Sequence, residues 1–182
     1  MLFYFQRLFL TRREFWRELR ERGLRIMKKL LIALDDSASA MKAAEYAAAQ
    51  LSGDNLQVGL VHVLPNLPAI FWDEGHILSD AEKKERKNVV DKWVADRKAK
   101  MDPIFKKAVE VLARAGIKAQ SITTKSISDS TDVSDSILEE AKDGGYQTIL
   151  VGRCNRSARH LLGSVSGKIV NHAEGIAVTV VG

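Results

Sequence analysis

From residue 28 onward, apolar positions alternate between two kinds of spacing. Lys29-Leu30-Leu31-Ile32-Ala33-Leu34 is nearly continuous in apolar side chains, as a strand buried on both faces of a parallel sheet requires. Asp35-Asp36-Ser37 ends that run with residues suited to a strand-to-helix turn and a helix cap. Residues 38–52 are rich in alanine and helical in pattern, with Ala40, Ala44, Ala47 and Leu51 on one small-residue face that can approach a sheet closely. Gly53-Asp54-Asn55 breaks this helix, and residues 56–63 (LQVGLVHV) read as a second strand. A helical crossover between two strands makes them parallel and the connection right-handed.

The later chain repeats the theme. Pro65 and Pro68 mark a loop containing Phe71, Trp72, Gly75 and His76. Ser79-Asp80-Ala81-Glu82 then forms a capping-box pattern. Beyond it Val90, Trp93, Val94, Arg97, Met101, Ile104, Phe105, Ala108 and Leu112 recur three or four apart, which predicts a long helix bent or split at Asp102-Pro103. Ala115-Gly116 closes it, and residues 117–127 read as a strand with Ile122 inward. Val133, Ile137, Leu138 and Ala141 predict a short helix ended by Gly144-Gly145; a strand runs into Gly152, a helix spans Ser164 to His172, and residues 176–181 make a last strand. The sum is an α/β chain: an open, doubly wound, five-stranded parallel sheet with helices on both faces. Ligands of such sheets sit beyond the carboxyl ends of the strands, at the switch point of the strand order. Asp35, Val63 and Gly152 stand at the ends of the first, second and fourth strands and are expected to face one crevice.

Composition narrows this picture. A chain of 182 residues with 46% hydrophobic and 28% charged residues has the makeup of a globular domain with a proper core. The single cysteine, Cys154, leaves no internal disulfide and fits a reducing, cytoplasmic setting. His62, His76, His160 and His172 are scattered, so no metal site is expected. Of the net charge of +5, residues 1–26 supply +4 through seven Arg and three Glu. The core is therefore close to neutral, which argues against nucleic-acid binding. Residues 1–26 also hold six of the twelve aromatics. Their charges interrupt any membrane span, and they lack the order of a secretory signal. They read either as a basic amphipathic helix on a membrane surface or partner, or as a non-native start ahead of Met27, where Glu21-Arg22-Gly23 is encodable by a purine-rich ribosome-binding sequence. The expected division is residues 1–26 as an extension and 27–182 as the domain.

Candidate chemistry concentrates in residues 148–170, TILVGRCNRSARHLLGSVSGKIV. A strand, a glycine turn, a basic loop and then small hydroxyl residues at a helix start form an anion-binding order, through free N–H groups and the helix dipole. Arg153, Arg156 and Arg159 read as phosphate partners or as solvated loop charges. Asp35 reads as a ligand group or a helix cap, and Ser164 and Ser166 as phosphate ligands, phosphorylation sites or caps. No G-x-G-x-x-G follows the first strand and no lysine follows the glycines in the P-loop manner, so neither a dinucleotide site nor a phosphoryl-transfer machine is indicated.

Three separated stretches, KKLLIALDDSASAMKAAEYA, GLVHV, and ILVG with LLGSVSGKIVNHA and AVTVV, resemble the universal stress protein family over residues 28–182. The resemblance implies a Rossmann-like, adenine nucleotide alpha hydrolase-like fold that binds ATP, with Mg as its companion ion. It implies that Asp35 holds the ribose, that backbone at Ala33 and Val63 contacts the base, and that Gly152, Gly163, Ser164, Val165 and Ser166 cradle the phosphates; Arg153, by its charge, and Asn155, at the second-glycine position, are counted with that loop. The chain departs from the family's glycine motif: Asn155 stands where the second glycine belongs, and seven residues rather than nine separate it from Gly163. The resemblance also implies a homodimer paired through residues 176–181 (Ile176-Ala177-Val178-Thr179-Val180-Val181) that acts as a stress-response sensor toward an unknown protein partner. Two alternatives stand beside this: a nucleotide-free signalling module with a degenerate phosphate loop, and a slow ATPase or self-phosphorylating enzyme.

Overall fold

The computed structural model describes residues 28–51, 55–64, 79–128, 130–153 and 162–182. In chain order these form β1 (Lys28–Ala33), α1 (Ala38–Gln50), β2 (Leu56–Val63), α2 (Asp80–Arg114), a 3-10 turn (Ala119–Ser121), β3 (Ile122–Ile127), α3 (Val133–Asp143), β4 (Thr148–Gly152), α4 (Ser164–His172) and β5 (Ala177–Val181). All five strands are parallel, in the order β3-β2-β1-β4-β5. β1 lies in the middle, which is why Leu30, Leu31 and Ile32 are all buried and why its sequence does not alternate. The chain steps outward from β1 to β2 and β3, then returns to lay β4 on the other flank of β1. The switch point therefore falls between β1 and β4.

Each face of the sheet has its own core. Leu30, Ile32, Leu34, Val58, Leu60 and Leu150 pack with the alanine face of α1 and with Met101, Phe105, Ala108 and Leu112 of α2. Leu31, Val61, Val63, Ile149 and Val151 pack with Ile137, Leu138 and Ala141 of α3 and Ile169 of α4. Ala40, Ala43, Ala44 and Ala47 are the buried residues of α1, so that helix lies close on its face. The approach is tight at Gly152, where an added Cβ would lie 2.4 Å from the carbonyl carbon of Ser39 and 2.6 Å from the nitrogen of Ala40.

Two expectations are corrected. α2 is not split at Pro103 but runs as one helix of 35 residues. Proline removes a single backbone hydrogen bond, while Met101 and Phe105 on either side of it are both buried, so tertiary packing carries the helix through. The strand expected over 117–127 begins only at Ile122, the residue paired with Val58 of β2. Ile117 is buried without being in a strand, and residues 119–121 take the 3-10 turn.

The starts of α1 and α2 follow their sequence signals, and α3 has a cap of its own at Asp132. The Ser37 hydroxyl accepts from the Ala40 N–H at 3.2 Å, and Ser79 and Glu82 complete a capping box on α2. The Asp132 carboxylate accepts from the N–H groups of Ser134 and Asp135, while Lys168 of α4 reaches Asp132 at 3.1 Å and Asp135 at 2.8 Å. The Asp135 N–H, then Lys168, holds the Asp132 carboxyl below the usual carboxylate range. A group depressed in the folded state contributes stability that is fully present above its unfolded pKa of about 3.9 and is lost as pH falls through the lower folded value. Asp132→Asn keeps a cap acceptor but cannot titrate. Its melting temperature should therefore fall less steeply with acid than that of the wild type, and parallel melting curves from pH 6 to pH 2 check this.

Candidate functional site

The crevice at the switch point is a cavity of about 570 Å³ beyond the carboxyl ends of β1, β2 and β4. Ala33, Val61, Val63 and Val151 give it an apolar floor, and Val133 and Ile137 of α3 give it an apolar wall. Polar groups enter it from two elements: Asp35 and Ser37 from the β1–α1 turn, and Gly163, Ser164 and Ser166 at the start of α4. A flat apolar body with a polar, anionic end fits such a lining.

The start of α4 is unlike the others. α1, α2 and α3 each have at least one first-turn N–H met by the side chain of their own cap residue, whereas Gly163 caps α4 with no side-chain hydrogen bond. The Gly163 carbonyl already accepts from the Gly167 N–H at 2.8 Å, and the Ser166 hydroxyl donates to it at 3.2 Å. Those bonds begin the helix ladder and turn the buried Ser166 inward. The N–H groups of Ser164, Val165 and Ser166 precede any intrahelical acceptor, and these residues line the cavity. The positive end of the α4 dipole thus opens into the crevice.

Asp35, which also lines the cavity, follows Leu34 at the end of β1. Its Oδ1 accepts from the Ser37 N–H at 2.9 Å, which shapes the turn into α1. Leu34 is held by β2 at both backbone groups: its N–H donates to Val61 at 2.8 Å, and its carbonyl accepts from His62 Nδ1 at 2.8 Å. Gly152 closes the crevice between them, its lack of a Cβ allowing the Ser39-Ala40 backbone to lie against β4.

Of the residues singled out from sequence, Ala33, Asp35, Val63, Gly152, Gly163, Ser164, Val165 and Ser166 all line this one cavity. Arg153 does not. It is exposed, and its N–H donates to the Val181 carbonyl at 2.6 Å, extending the β4–β5 ladder. Asn155, with Cys154, Arg156, Arg159, His160 and Trp72, lies outside the described residues. Sequence reasoning missed Leu162, Val133, Ile137 and the bond made by His62. The last had one available signal: alternation along β2 places His62 on the same side as Val58 and Leu60, where an imidazole needs a polar partner. Among the described residues no group of three His, Cys, Asp or Glu side chains is placed to hold a metal ion, and no helix is long and apolar enough to cross a membrane.

Comparison with known proteins follows the same lines. UspA, a universal stress protein from Lactobacillus plantarum, shares the fold with a TM-score of 0.57 at 18% identity, over 87% of this chain and 99% of its own. A universal stress protein family protein from Arabidopsis thaliana, solved with AMP bound, matches with a TM-score of 0.53 at 19% identity, over 85% of this chain and 90% of its own. The universal stress protein of Archaeoglobus fulgidus in complex with dAMP matches with a TM-score of 0.51 at 18% identity, over 86% of this chain and 98% of its own. No curated protein matches the chain by sequence. The sequence profile of the universal stress protein family, however, matches residues 27–182, and the chain belongs to that family.

Proposed function

We propose that the crevice binds an adenine nucleotide, ATP with Mg or a related one, and that the chain is a cytoplasmic, homodimeric stress-response sensor whose occupancy alters its contacts with a protein partner. The observation that carries this reading is the uncapped N-terminus of α4 opening into an apolar cavity at the switch point. In it, the apolar floor at Ala33 and Val63 takes the base, the Asp35 carboxylate takes the ribose, and Gly163, Ser164, Val165 and Ser166 meet the phosphates. Gly152 leaves room for close approach. Arg153 and Asn155 stay with the phosphate loop in this reading, although Arg153 lies off the cavity. The bound AMP and dAMP of the two relatives agree with an adenine ligand. For the dimer, support comes from β5, an edge strand that pairs only with β4 among the described residues. Unpaired edges of this apolar kind call for a partner strand, and a two-fold axis supplies one.

The competing reading is a nucleotide-free signalling module. Asn155 in place of a glycine and the outward position of Arg153 favour it. One preparation separates the two. Protein purified without added nucleotide is denatured and its supernatant analysed by mass spectrometry, and a stripped sample is titrated with ATP and with AMP. Binding of either nucleotide, in a particle of twice the 20.2 kDa chain mass, is the expected result. Failure of both to bind defeats the nucleotide reading, and a monomeric mass defeats the dimer.

A further inference from the structure

Resting on that reading, we propose that His62 is a positioning residue of the crevice, turning the Asp35 N–H into the cavity so that Asp35 grips a ribose hydroxyl with a carboxylate and a backbone donor together.

Val58 and Leu60 of β2 belong to the core under α1 and α2, and Val61 and Val63 to the core under α3 and α4. Strand alternation puts the His62 side chain with the first pair. His62 lines the cavity together with Leu34 and Asp35 at the end of β1, and the cavity extends past Val151 and Gly152 of β4, on the flank of β1 away from β2. His62 Nδ1 stands 2.8 Å from the Leu34 carbonyl oxygen. A carbonyl only accepts, so Nδ1 carries the proton and the imidazole is the donor. The Leu34–Asp35 peptide is trans, since the described residues contain no cis bond. In a planar trans peptide the C=O and N–H point in opposite directions. Drawing the Leu34 carbonyl toward His62 of β2, on one flank of β1, therefore aims the Asp35 N–H toward the other flank, where β4 and the switch-point crevice lie.

Nothing among the described residues accepts from that N–H, and of the Asp35 carboxylate only Oδ1 is engaged, by Ser37. A backbone donor beside a free carboxylate oxygen complements a hydroxyl, which accepts from one and donates to the other. Neither half of this pair is orientable by Asp35 alone. The peptide plane is set from β2, across 28 residues of sequence.

The test uses three substitutions and two probes, with affinity measured by calorimetry on the stripped full chain. His62→Phe keeps the ring volume without a donor. His62→Gln carries its amide nitrogen near the Nε2 position, and His62→Asn near that of Nδ1. For ATP, the Phe and Gln variants should bind about tenfold more weakly, the loss of one hydrogen bond's worth of orientation, while Asn stays within about threefold of wild type. For 2′,3′-dideoxy-ATP, which lacks the hydroxyls, the difference between His62→Phe and wild type should shrink. Equal weakening by all three substitutions, or a His62→Phe defect that is the same for both probes, reduces His62 to a packing residue and overturns the proposal. If wild type binds ATP and His62→Phe binds it equally well, only this inference fails. If wild type binds neither probe, the nucleotide reading fails and takes this one with it. Should His62→Phe not fold, the contrast between Gln and Asn decides alone.

Discussion

Gly152→Ala is expected to lower the melting temperature by about 6–12 °C, the shift that roughly 3 kcal/mol produces in a chain of this size, and Gly152→Val should prevent stable folding. The new Cβ would lie 2.4 Å from the Ser39 carbonyl carbon, 2.5 Å from its oxygen and 2.6 Å from the Ala40 nitrogen. Every one of these atoms is backbone, at the first turn of α1, so no side-chain rotamer change relieves the overlap. The helix must move as a body. It cannot do so cheaply, because Ala40, Ala43, Ala44 and Ala47 fit its face to the sheet with no long side chain to re-pack. A loss of about 3 kcal/mol is a large fraction of the 5–15 kcal/mol that holds a typical domain folded. Thermal and urea unfolding of wild type and Gly152→Ala measure it. A shift under about 2 °C would mean that α1 and β4 are less closely fitted than described.

The second large effect is on binding rather than folding. Asp35→Ala should weaken ATP binding by about 10–100-fold, the range for losing a hydrogen bond to a charged group. Its effect on the fold should be small. Asp35 is exposed, and the Ser37 N–H that it accepts from sits in a turn where water can replace it. The α1 cap is supplied separately by the Ser37 hydroxyl. Asp35→Asn keeps an acceptor in the turn and should bind ATP with intermediate affinity. If Asp35→Ala binds ATP within about twofold of wild type, Asp35 is only a turn residue and the ribose is held elsewhere.

Much of this architecture was legible in the chain because its signals are local. The unalternating run of β1, the alanine face of α1, and the caps at Ser37 and Ser79 each state their own environment. Asp35, Val63 and Gly152 were expected in one crevice because parallel strands bring their carboxyl ends to one edge, and all three line it. What escaped were matters of competition and register. Pro103 opposes a helix locally, and only the burial of Met101 and Phe105 decides that the helix continues. Ile117 has the look of a strand residue, but the neighbouring ladder on β2 begins opposite Ile122. Arg153 follows Gly152 in sequence, yet its backbone stays in the ladder with Val181 and the side chain is carried away from the cavity. The bond from His62 to Leu34 joins strands whose alignment had to exist before the contact could be named.

In the proposed sensor, the Arg153–Val181 hydrogen bond bears on how far a change at the crevice would have to travel. The segment that leaves the crevice at Gly152 is still stitched to the last residue of β5. Adjacent strands lie about 4.8 Å apart, so a strand added at the outer side of β5 would be two such steps from β4 and the crevice floor. Ligand and interface would then share a single pair of hydrogen-bonded strands, with no hinge or lever between them.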